Sequence, residues 1–376
     1  MSDSHHPETI SIHAGRMAAV AHGDVMPPIH LSTTFERQQD GTFRDHIYTR
    51  SSNPNRTQLE TKLAALEGGQ VAVAFSSGMA AVNAAFNSML KPGDHVVIPD
   101  DCYHGTRELA NEIFARWGVE VSNIDMSDLR NVERALKPHT RLIWIETPSN
   151  PQLKITDVSG VIALARTKGL LVGCDNTFAT PIWQRPLAMG ADVVMHATTK
   201  FFSGHSDVLG GVLVLREAGE LSARIQHYQQ IAGAVPSPFD CWLLNRSLST
   251  FSLRVRQQTA SAGVLADFFA SHPRIEKVFY PGLASHLNHD IARRQMTGYG
   301  SMLSILIKGD RDAAMTFAGK LRVFRHATSL GGVESLVEHR RTAEGAHPVS
   351  PDNLLRISVG VEHVDDLLGD LKQALA

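Results

Sequence analysis

The lysine at position 200 lies in surroundings that suit covalent chemistry. It follows the apolar run Ala191–Met195 and belongs to a stretch, His196–Asp207, that is rich in Thr, Ser, His and Gly. A lysine amine among apolar groups has a depressed pKa and can form a Schiff base with a carbonyl compound. Any single lysine is usually exposed, but this stretch hardly resembles a solvated helix face. Lys200 is therefore a candidate nucleophile.

Two further charged residues lie where a charge needs a partner. Asp175 ends the apolar run Leu170–Cys174, where a carboxylate is costly unless something pairs with it. A protonated pyridine nitrogen would pair with it well, and a helix cap or salt bridge would serve equally. Arg356 lies among apolar residues in Leu354–Val359. Its guanidinium would bind a substrate α-carboxylate through two hydrogen bonds, or would form a structural salt bridge.

A short glycine motif, Ser76–Met79, lies between a predicted strand and a predicted helix. Backbone N–H groups and the positive end of the helix dipole suit a phosphate there, and Gly78 permits close approach. Taken alone, such a motif is more often an ordinary N-cap with a tight turn. No metal site or serine-hydrolase site is indicated, because the nineteen histidines form no HExxH pair and no G-x-S-x-G elbow occurs.

The elements that must position these residues are short apolar runs that alternate with helical patterns. The predicted strands are Val71–Phe75, His95–Ile98, Val119–Ile124, Arg141–Ile145, Leu170–Cys174, Ala191–Met195 and Gly211–Leu215. Continuous apolar strands separated by helices indicate an α/β fold with a mostly parallel sheet covered on both faces. Ligands bind beyond the carboxyl ends of such strands, and Ser77, Asp175 and Lys200 all fall near such ends.

The pattern along the chain predicts three regions. Residues 1–55 show no sustained period, which is odd in a compact monomer unless this arm packs on another subunit. Residues 56–240 form the sheet domain, and residues 241–376 form a smaller C-terminal α+β domain. The latter begins with a long helical stretch from Phe239 to about His272. It continues with strands near Met302–Lys308 and Leu354–Val359 and ends with the helix Val364–Leu375.

Composition argues against several classes of protein. The 376 residues carry 36 Lys and Arg against 38 Asp and Glu, so no strong field recruits nucleic acid or an anionic membrane. The cysteines Cys102, Cys174 and Cys241 form no CxxC pair, which fits a reducing compartment. The start lacks a signal-peptide pattern, and no apolar run approaches the ~18 residues of a membrane span. We expect a soluble, cytoplasmic protein.

Seven segments together resemble the trans-sulfuration family of pyridoxal-phosphate enzymes, of the cystathionine γ-synthase or γ-lyase type. In chain order they are Tyr48–Pro54, Ser76–Met79, Glu146–Pro151, Asp175–Thr177, Thr199–Lys200, Gly204–Asp207 and Ser329–Gly332. One such match is weak evidence, but seven in family order are specific, and the likeness runs from about residue 11 to residue 370. The resemblance implies fold type I, the aspartate-aminotransferase-like fold with a large seven-stranded sheet, and pyridoxal 5′-phosphate as cofactor.

The resemblance also implies roles for the residues around the cofactor. Lys200 resembles the Schiff-base lysine that moves protons between Cα and the leaving group. Asp175 would hold the ring nitrogen charged, so that the ring acts as an electron sink. Tyr103 resembles the aromatic residue that stacks on the ring. The phosphate-binding positions are Ser77, Gly78, Met79 and Thr199.

Further positions match residues that contact the substrate or come from another subunit. Tyr48 and Arg50 resemble a pair that a neighbouring subunit donates to the phosphate, which implies a homo-oligomer with shared active sites, usually a tetramer. Tyr48 or Tyr103 would assist proton transfer to the leaving group. The substrate-binding positions are Asn150, Ser329, Glu334 and Arg356.

Three positions depart from the family pattern. Ala197 replaces a common phosphate-binding Ser, and the lost hydroxyl would weaken cofactor binding by about 1 kcal/mol. Ile47 replaces an acidic residue that is common in cystathionine-handling γ-enzymes. An aliphatic residue at this position resembles the sulfhydrylases and methionine γ-lyase instead. His339–Gly345 replaces the family's H-P-A-S-M-T-H stretch. Arg340 or Arg341 would serve an acidic substrate tail or lie in solvent, and we expect the solvated arrangement.

The resemblance implies γ-replacement or γ-elimination on a homoserine ester or a cystathionine-like amino acid in sulfur amino-acid metabolism. Gly105 stands where methionine γ-lyase has a characteristic cysteine, and the usual insertion of O-acetylhomoserine sulfhydrylases is missing. Glu334 favours the γ-synthase or γ-lyase type. The alternatives are O-acyl-homoserine sulfhydrylase, methionine γ-lyase and cystathionine β-lyase activities and, more remotely, a non-catalytic binding protein on the same scaffold. The leaving group and the direction of the reaction stay open.

Overall fold

The structure is a computed structural model that describes residues 5–16, 23–344 and 348–376. Within these ranges the chain folds into two sheets and the helices that cover them, which confirms the predicted α/β class. Among the helices of the described ranges, none is long and apolar enough to cross a membrane.

The N-terminal region consists of two helices with mostly irregular chain before the second. Helix α1 (Pro7–His13) packs on α2 (Pro54–Glu67), and the described residues 23–53 form no helix. The side chain of Asn53 caps the start of α2. The helix ends at Gly68, whose φ of 76° is left-handed, a conformation that glycine adopts without steric cost.

The larger sheet has seven strands in the order β1-β7-β6-β5-β4-β2-β3. Strand β7 runs antiparallel to both of its neighbours, and the other pairs are parallel, as predicted. Almost every residue of the central strands is buried, which explains their continuous apolar sequences. The strands are β1 (Val71–Phe75), β2 (His95–Pro99), β3 (Glu120–Ile124), β4 (Thr140–Glu146), β5 (Leu171–Asp175), β6 (Val193–His196) and β7 (Gly211–Leu215).

Helices cover both faces of this sheet. Successive residues of β4 alternate between two cores, with Leu142 and Trp144 in one and Ile143 and Ile145 in the other. A π-helical turn over Leu109–Phe114 and a 3-10 turn over Ala115–Trp117 follow α4. The covering helices are α3 (Gly78–Met89), α4 (His104–Glu108), α5 (Leu129–Ala135), α6 (Val158–Thr167), α7 (Thr180–Trp183), α8 (Pro186–Met189) and α9 (Glu220–Ala232).

The C-terminal part builds a second sheet of five strands, in the order β10-β11-β12-β9-β8. Its strands are β8 (Ile275–Phe279), β9 (Met302–Ile307), β10 (Arg325–His326), β11 (Leu336–His339) and β12 (Leu354–Ser358). The helices of this part are α10 (Pro238–Leu248), α11 (Phe251–Ser271), α12 (His289–Gln295), α13 (Arg311–Lys320), α14 (Arg340–Ala343) and α15 (Val364–Leu375). The last helix has the predicted bounds.

The stretch predicted as one long helix is two helices, α10 and α11, with a break at Ser249 and Thr250. The Thr250 hydroxyl lies 3.3 Å from the carbonyl oxygen of Ser247 and donates to it. A hydroxyl that bonds a nearby carbonyl offers the backbone an alternative to the helical ladder. The apolar periodicity continues across this break and therefore does not reveal it.

An arginine from α11 holds the loop that follows β6. Arg254 donates to the carbonyl oxygens of Phe201 (2.8 Å), Phe202 (3.3 Å) and Ser247 (3.1 Å). Burial lowers the pKa of Arg254 to about 10. Gly204 has a left-handed φ of 65°, and a Cβ there would overlap the Arg254 guanidinium. The loop and the arginine therefore fit each other closely.

We predict that Arg254→Met lowers the free energy of unfolding by about 2–3 kcal/mol, because buried carbonyl oxygens lose their donor. Urea unfolding followed by circular dichroism measures this loss. Arg256→Met is the matched control on the same helix, since the Arg256 guanidinium pairs with Glu8 at the surface. It should cost less than about 1 kcal/mol. Equal losses in the two variants would contradict the role of Arg254.

Candidate active site

A cavity of about 450 Å³ lies at the carboxyl ends of β4, β5 and β6 and is lined by residues of both sheets. Its position is the one that parallel α/β sheets use for ligands. The predicted site residues that line it are Ser77, Gly78, Met79, Tyr103, Asn150, Asp175, Thr199, Lys200, Ser329 and Arg356. The structure thus brings together groups that are up to 279 positions apart in the chain, from position 77 to position 356.

Lys200 projects into this cavity from the turn that follows β6. Its backbone N–H donates to the carbonyl of Ala197 (3.0 Å), and its Nζ donates to the hydroxyl of Ser329 (3.0 Å). Burial and, after it, the positive charge of Arg356 lower the pKa of Lys200 to about 8. A much larger fraction of this amine is therefore neutral near pH 7 than for an ordinary lysine, as a nucleophile or base requires.

Two carboxylates lie side by side at the ends of neighbouring strands. Glu146 ends β4 and is the register partner of Asp175, which ends β5. Asp175 accepts a hydrogen bond from the N–H of Thr177 (2.9 Å), and Glu146 accepts one from the N–H of Tyr103 (2.9 Å). Burial raises the pKa of both carboxyls, and the charge of Asp175 raises that of Glu146 further. No basic side chain in the described ranges forms an ion pair with Asp175.

A buried polar network behind Asp175 fixes the ends of these strands. Glu67, from the end of α2, accepts a hydrogen bond from the side-chain amide of Asn176 (3.0 Å) and lies 2.5 Å from Nε2 of His196. The Asn176 amide also donates to the carbonyl of Gln184 (2.8 Å). These bonds fix the backbone immediately after Asp175. They therefore also fix the direction in which the Asp175 side chain enters the cavity.

The first turn of α3 lines another part of the cavity wall. Ser77 caps this helix, its Oγ accepting from the N–H of Ala80 (3.0 Å). A Cβ on Gly78 would lie 3.0 Å from the Cβ of Ala197, so a larger residue would narrow the cavity here. Thr199 lines the same part. Backbone N–H groups at the start of a twelve-residue helix suit an anion such as phosphate.

A guanidinium from the small sheet completes the cavity. Arg356, on β12, donates to the side-chain oxygen of Asn150 (3.0 Å), to the carbonyl of Ser329 (3.0 Å) and to Glu338 (2.5 Å). Burial lowers the pKa of Arg356 to about 10, which still leaves it charged at neutral pH. Because Ser329 also bonds the amine of Lys200, the lysine and the arginine are held by one residue.

The expectation that Arg340 lies in solvent is wrong. Arg340 opens α14, is 4% exposed and lines the cavity, where its Nη1 donates to Glu338 (2.9 Å). Glu338, on β11, is the register partner of Arg356, and this register carries the chain directly into the cavity wall. Arg341 points outward and pairs with a surface carboxylate, as expected for a solvated residue. Gly345, at the end of this stretch, lies outside the described residues.

Sequence reasoning missed Glu146 and Glu338 as cavity residues. Glu146 gave the same signal as Asp175, a carboxylate directly after an apolar run, and could have been found by it. Glu338 is an acidic residue inside the short apolar strand Leu336–His339, which is a weaker signal. In both cases a buried charge without an obvious partner in the sequence marks the site.

Three predicted residues do not line the cavity of their own chain. Tyr48 is 45% exposed, and the Arg50 guanidinium lies over its ring at 5.8 Å. Arg50 also donates to the carbonyl of Gln230 (2.6 Å). Glu334 accepts a hydrogen bond from the hydroxyl of Ser206 outside the cavity. This placement does not support a direct contact between Glu334 and a substrate.

Comparison with known proteins gives the family. The model of the family described as Cys/Met metabolism PLP-dependent enzyme matches residues 8–376. Cystathionine gamma-synthase of Mycobacterium tuberculosis is 48% identical over 98% of this chain and 96% of that protein. Cystathionine gamma-lyase of Dictyostelium discoideum is 42% identical over 97% and 96%. Cystathionine beta-lyase of Coxiella burnetii is 40% identical over 98% of each.

Solved structures agree with these relatives. The crystal structure of metB from Corynebacterium glutamicum superposes with a TM-score of 0.97 at 41% identity, covering 99% of this chain and 98% of that one. Cystathionine gamma synthase from Xanthomonas oryzae pv. oryzae gives 0.93 at 40% identity, covering 98% and 97%. The resemblance read from the seven segments is therefore confirmed. This chain belongs to the Cys/Met metabolism family of PLP-dependent enzymes.

Proposed function

We propose that this enzyme catalyses γ-replacement or γ-elimination on a homoserine ester or a cystathionine-like amino acid. The observation that carries the proposal is the buried amine of Lys200, in one cavity with the unpaired carboxylate of Asp175 and the guanidinium of Arg356. Relatives named as gamma-synthase and gamma-lyase support γ chemistry. The relative named as a beta-lyase keeps β-elimination as the second candidate.

The cavity has groups that would hold pyridoxal phosphate at four places: the ring nitrogen, the aldehyde carbon, the ring face and the phosphate. The buried carboxylate of Asp175 would hold the protonated ring nitrogen, because it has no basic ion-pair partner in the described part of the chain and burial alone raises its pKa. Lys200 would hold the aldehyde carbon, and Tyr103 would stack on the ring. The groups that would hold the phosphate are Ser77, Gly78, Met79 and Thr199, at the start of α3 and in the turn before Lys200.

When bound, pyridoxal phosphate supplies an electron sink that stabilises negative charge at the substrate Cα. Arg356 and Asn150 would bind the substrate carboxylate and fix which bond at Cα faces the amine. The amine of Lys200, released by the incoming substrate amine, would remove the Cα proton, pass it on and then remove a proton from Cβ. The electron pair left at Cβ would expel the γ-substituent. Ser329, 3.0 Å from this amine, would hold it in position. Tyr103 would assist proton transfer to the leaving group.

We also propose that the active site is shared between subunits. Tyr48 and Arg50 lie outside their own cavity and are exposed enough to reach a neighbouring one, where they would contact the phosphate. The arm of residues 1–55 would thus serve a partner, while residues 56–240 and 241–376 form the two domains. We expect such dimers to pair into a homotetramer. A location in the cytoplasm is consistent with the three buried free cysteines.

We predict that Lys200→Ala lowers turnover by at least about 10³-fold and removes the yellow colour of the bound cofactor, because both depend on this amine. The measurements are product formation and the visible absorbance of the purified protein. Lys62→Ala is the control, since Lys62 is also a buried lysine but lies outside the cavity. Full activity in the Lys200 variant would end the proposal.

A substrate panel separates γ from β chemistry. The enzyme is given O-acetylhomoserine, O-succinylhomoserine, cystathionine, homocysteine and methionine, each with and without cysteine. We expect cystathionine from a homoserine ester with cysteine, or 2-oxobutanoate by elimination. Pyruvate released from cystathionine, with no 2-oxobutanoate from any substrate, would favour the β-lyase alternative instead.

The lowered pKa of Lys200 predicts a pH dependence in the cofactor-free protein. An amine with a pKa of about 8 becomes neutral as the pH rises through 8, whereas a lysine in water requires about 10.4. Reductive methylation with formaldehyde, followed by mass spectrometry of the Lys200 peptide, should therefore show a rate that rises with a midpoint near pH 8. A midpoint above pH 10 would contradict the burial that causes the shift.

A further inference from the structure

Three buried carboxylates surround the end of β5. Glu146 and Asp175 end neighbouring strands, and Glu67 comes from the last turn of α2. Burial, and after it the negative charges of all three carboxylates, raise the pKa of the Cys174 thiol, which lies among them. Buried charges of one sign are unfavourable unless protons or cations offset them. The end of β5 therefore requires positive charge from a neighbouring element.

One basic side chain lies within this group. His196 ends β6, which pairs with β5, and its Nε2 lies 2.5 Å from Oε1 of Glu67. The two side chains are 3% and 0% exposed, so water screens their charges little. Within the described ranges, no lysine or arginine forms an ion pair with Glu67, Glu146 or Asp175. An ionised Glu67 therefore needs the imidazolium form of His196, because breaking or leaving unpaired a buried charge is costly.

The charge of His196 acts on Asp175. The register partner of Asp175 on β6 is Met195, the residue before His196. Burial raises the pKa of Asp175, hydrogen bonds from Thr177 lower it, and the positive charge of His196 lowers it as well. A positive charge at His196 thus favours the ionised form of the carboxyl that faces the cavity.

The imidazole is held in place behind the cavity wall. The ring of Phe202 packs on it, with ring centroids 4.7 Å apart. Oε1 of Glu67 accepts from the amide of Asn176 (3.0 Å) as well as bonding the imidazole, whereas Oε2 has no hydrogen-bond partner among the described residues. Neither His196 nor Glu67 lines the cavity. An effect of this pair on a bound molecule must therefore pass through Asp175.

We propose that His196, held as an imidazolium by Glu67, is a positioning residue that keeps Asp175 ionised and thereby keeps the ring nitrogen of the cofactor protonated. This role rests on the proposed placement of the ring nitrogen against Asp175, and it does not depend on which reaction the enzyme catalyses. The charges then balance in two pairs, with Glu146 protonated, as its burial and the charge of Asp175 favour. A protonated ring withdraws electrons more strongly than a neutral one, so the pair supports the electron sink from behind the site.

Two cofactors that differ only at the ring nitrogen test this role. In 1-deazapyridoxal 5′-phosphate a C–H group replaces that nitrogen, while the aldehyde and the phosphate are unchanged. The dissociation constant of each cofactor is measured by titrating the cofactor-free, full-length protein and following the absorbance of the bound form. We expect the wild-type protein to bind pyridoxal phosphate about 10- to 100-fold more tightly than the analogue, as a charge-assisted hydrogen bond in a buried site would give.

His196→Asn should reduce this preference about 5-fold or more, because Asp175 loses the charge that keeps it ionised. Glu67→Gln should reduce it in the same direction, since it removes the carboxylate that holds the imidazolium, and it serves if the histidine variant does not fold. The matched control is His95→Asn. His95 is equally buried on β2 of the same sheet and lies outside the cavity, so this variant should keep the wild-type preference.

The ratio of the two dissociation constants is insensitive to general damage, because a loosened fold weakens both cofactors alike. An unchanged ratio in His196→Asn would overturn the role of His196 and leave the proposed function standing. Equal affinity of the wild-type protein for the two cofactors would overturn the pairing of Asp175 with the ring nitrogen, and the role of His196 with it. A reduced ratio in the variant, without γ-products in the substrate panel, would support His196 while refuting the proposed reaction.

Discussion

This site depends on one constraint, the removal of water from charges that the chain does not fully neutralise. The small sheet closes over the carboxyl ends of the parallel strands, where Asp175 and Lys200 are buried. Desolvation then raises the pKa of the carboxyl and lowers that of the amine. In the described part of the chain, Asp175 has no basic ion-pair partner, and the amine of Lys200 bonds only the hydroxyl of Ser329. A cofactor with a basic ring nitrogen and an aldehyde would pair with both groups at once.

Burial alone does not make a lysine a cofactor site. Lys62 is 5% exposed, and burial lowers its pKa to about 8, as for Lys200. It lies outside the cavity, with Nζ 3.5 Å from the carbonyl of Asn245. Lys200 differs in being held by Ser329, and in lying directly before the two residues that Arg254 ties to α11. Their positions distinguish the two amines, rather than their pKa values, because only Lys200 lines the cavity together with Asp175 and the start of α3.

Much of the fold was accessible from the sequence because buried parallel strands are continuous apolar runs, and all seven predicted strands of the large sheet occur. Arg340 was not accessible in this way, because its environment depends on the pairing of β11 with β12, which no local pattern encodes. The roles proposed for Tyr48 and Arg50 involve a second chain, so they follow from the family resemblance and not from any local pattern of residues.

The central claim is that Lys200, and no other lysine, carries the cofactor. Borohydride reduction of the purified holoenzyme, followed by peptide mass spectrometry, tests it most directly, because reduction fixes the cofactor to the amine that held it. We predict that the added mass lies on the peptide containing Lys200 alone, at about one label per chain. Label on the Lys62 peptide, or spread over exposed lysines with Lys200 unmodified, would contradict the account.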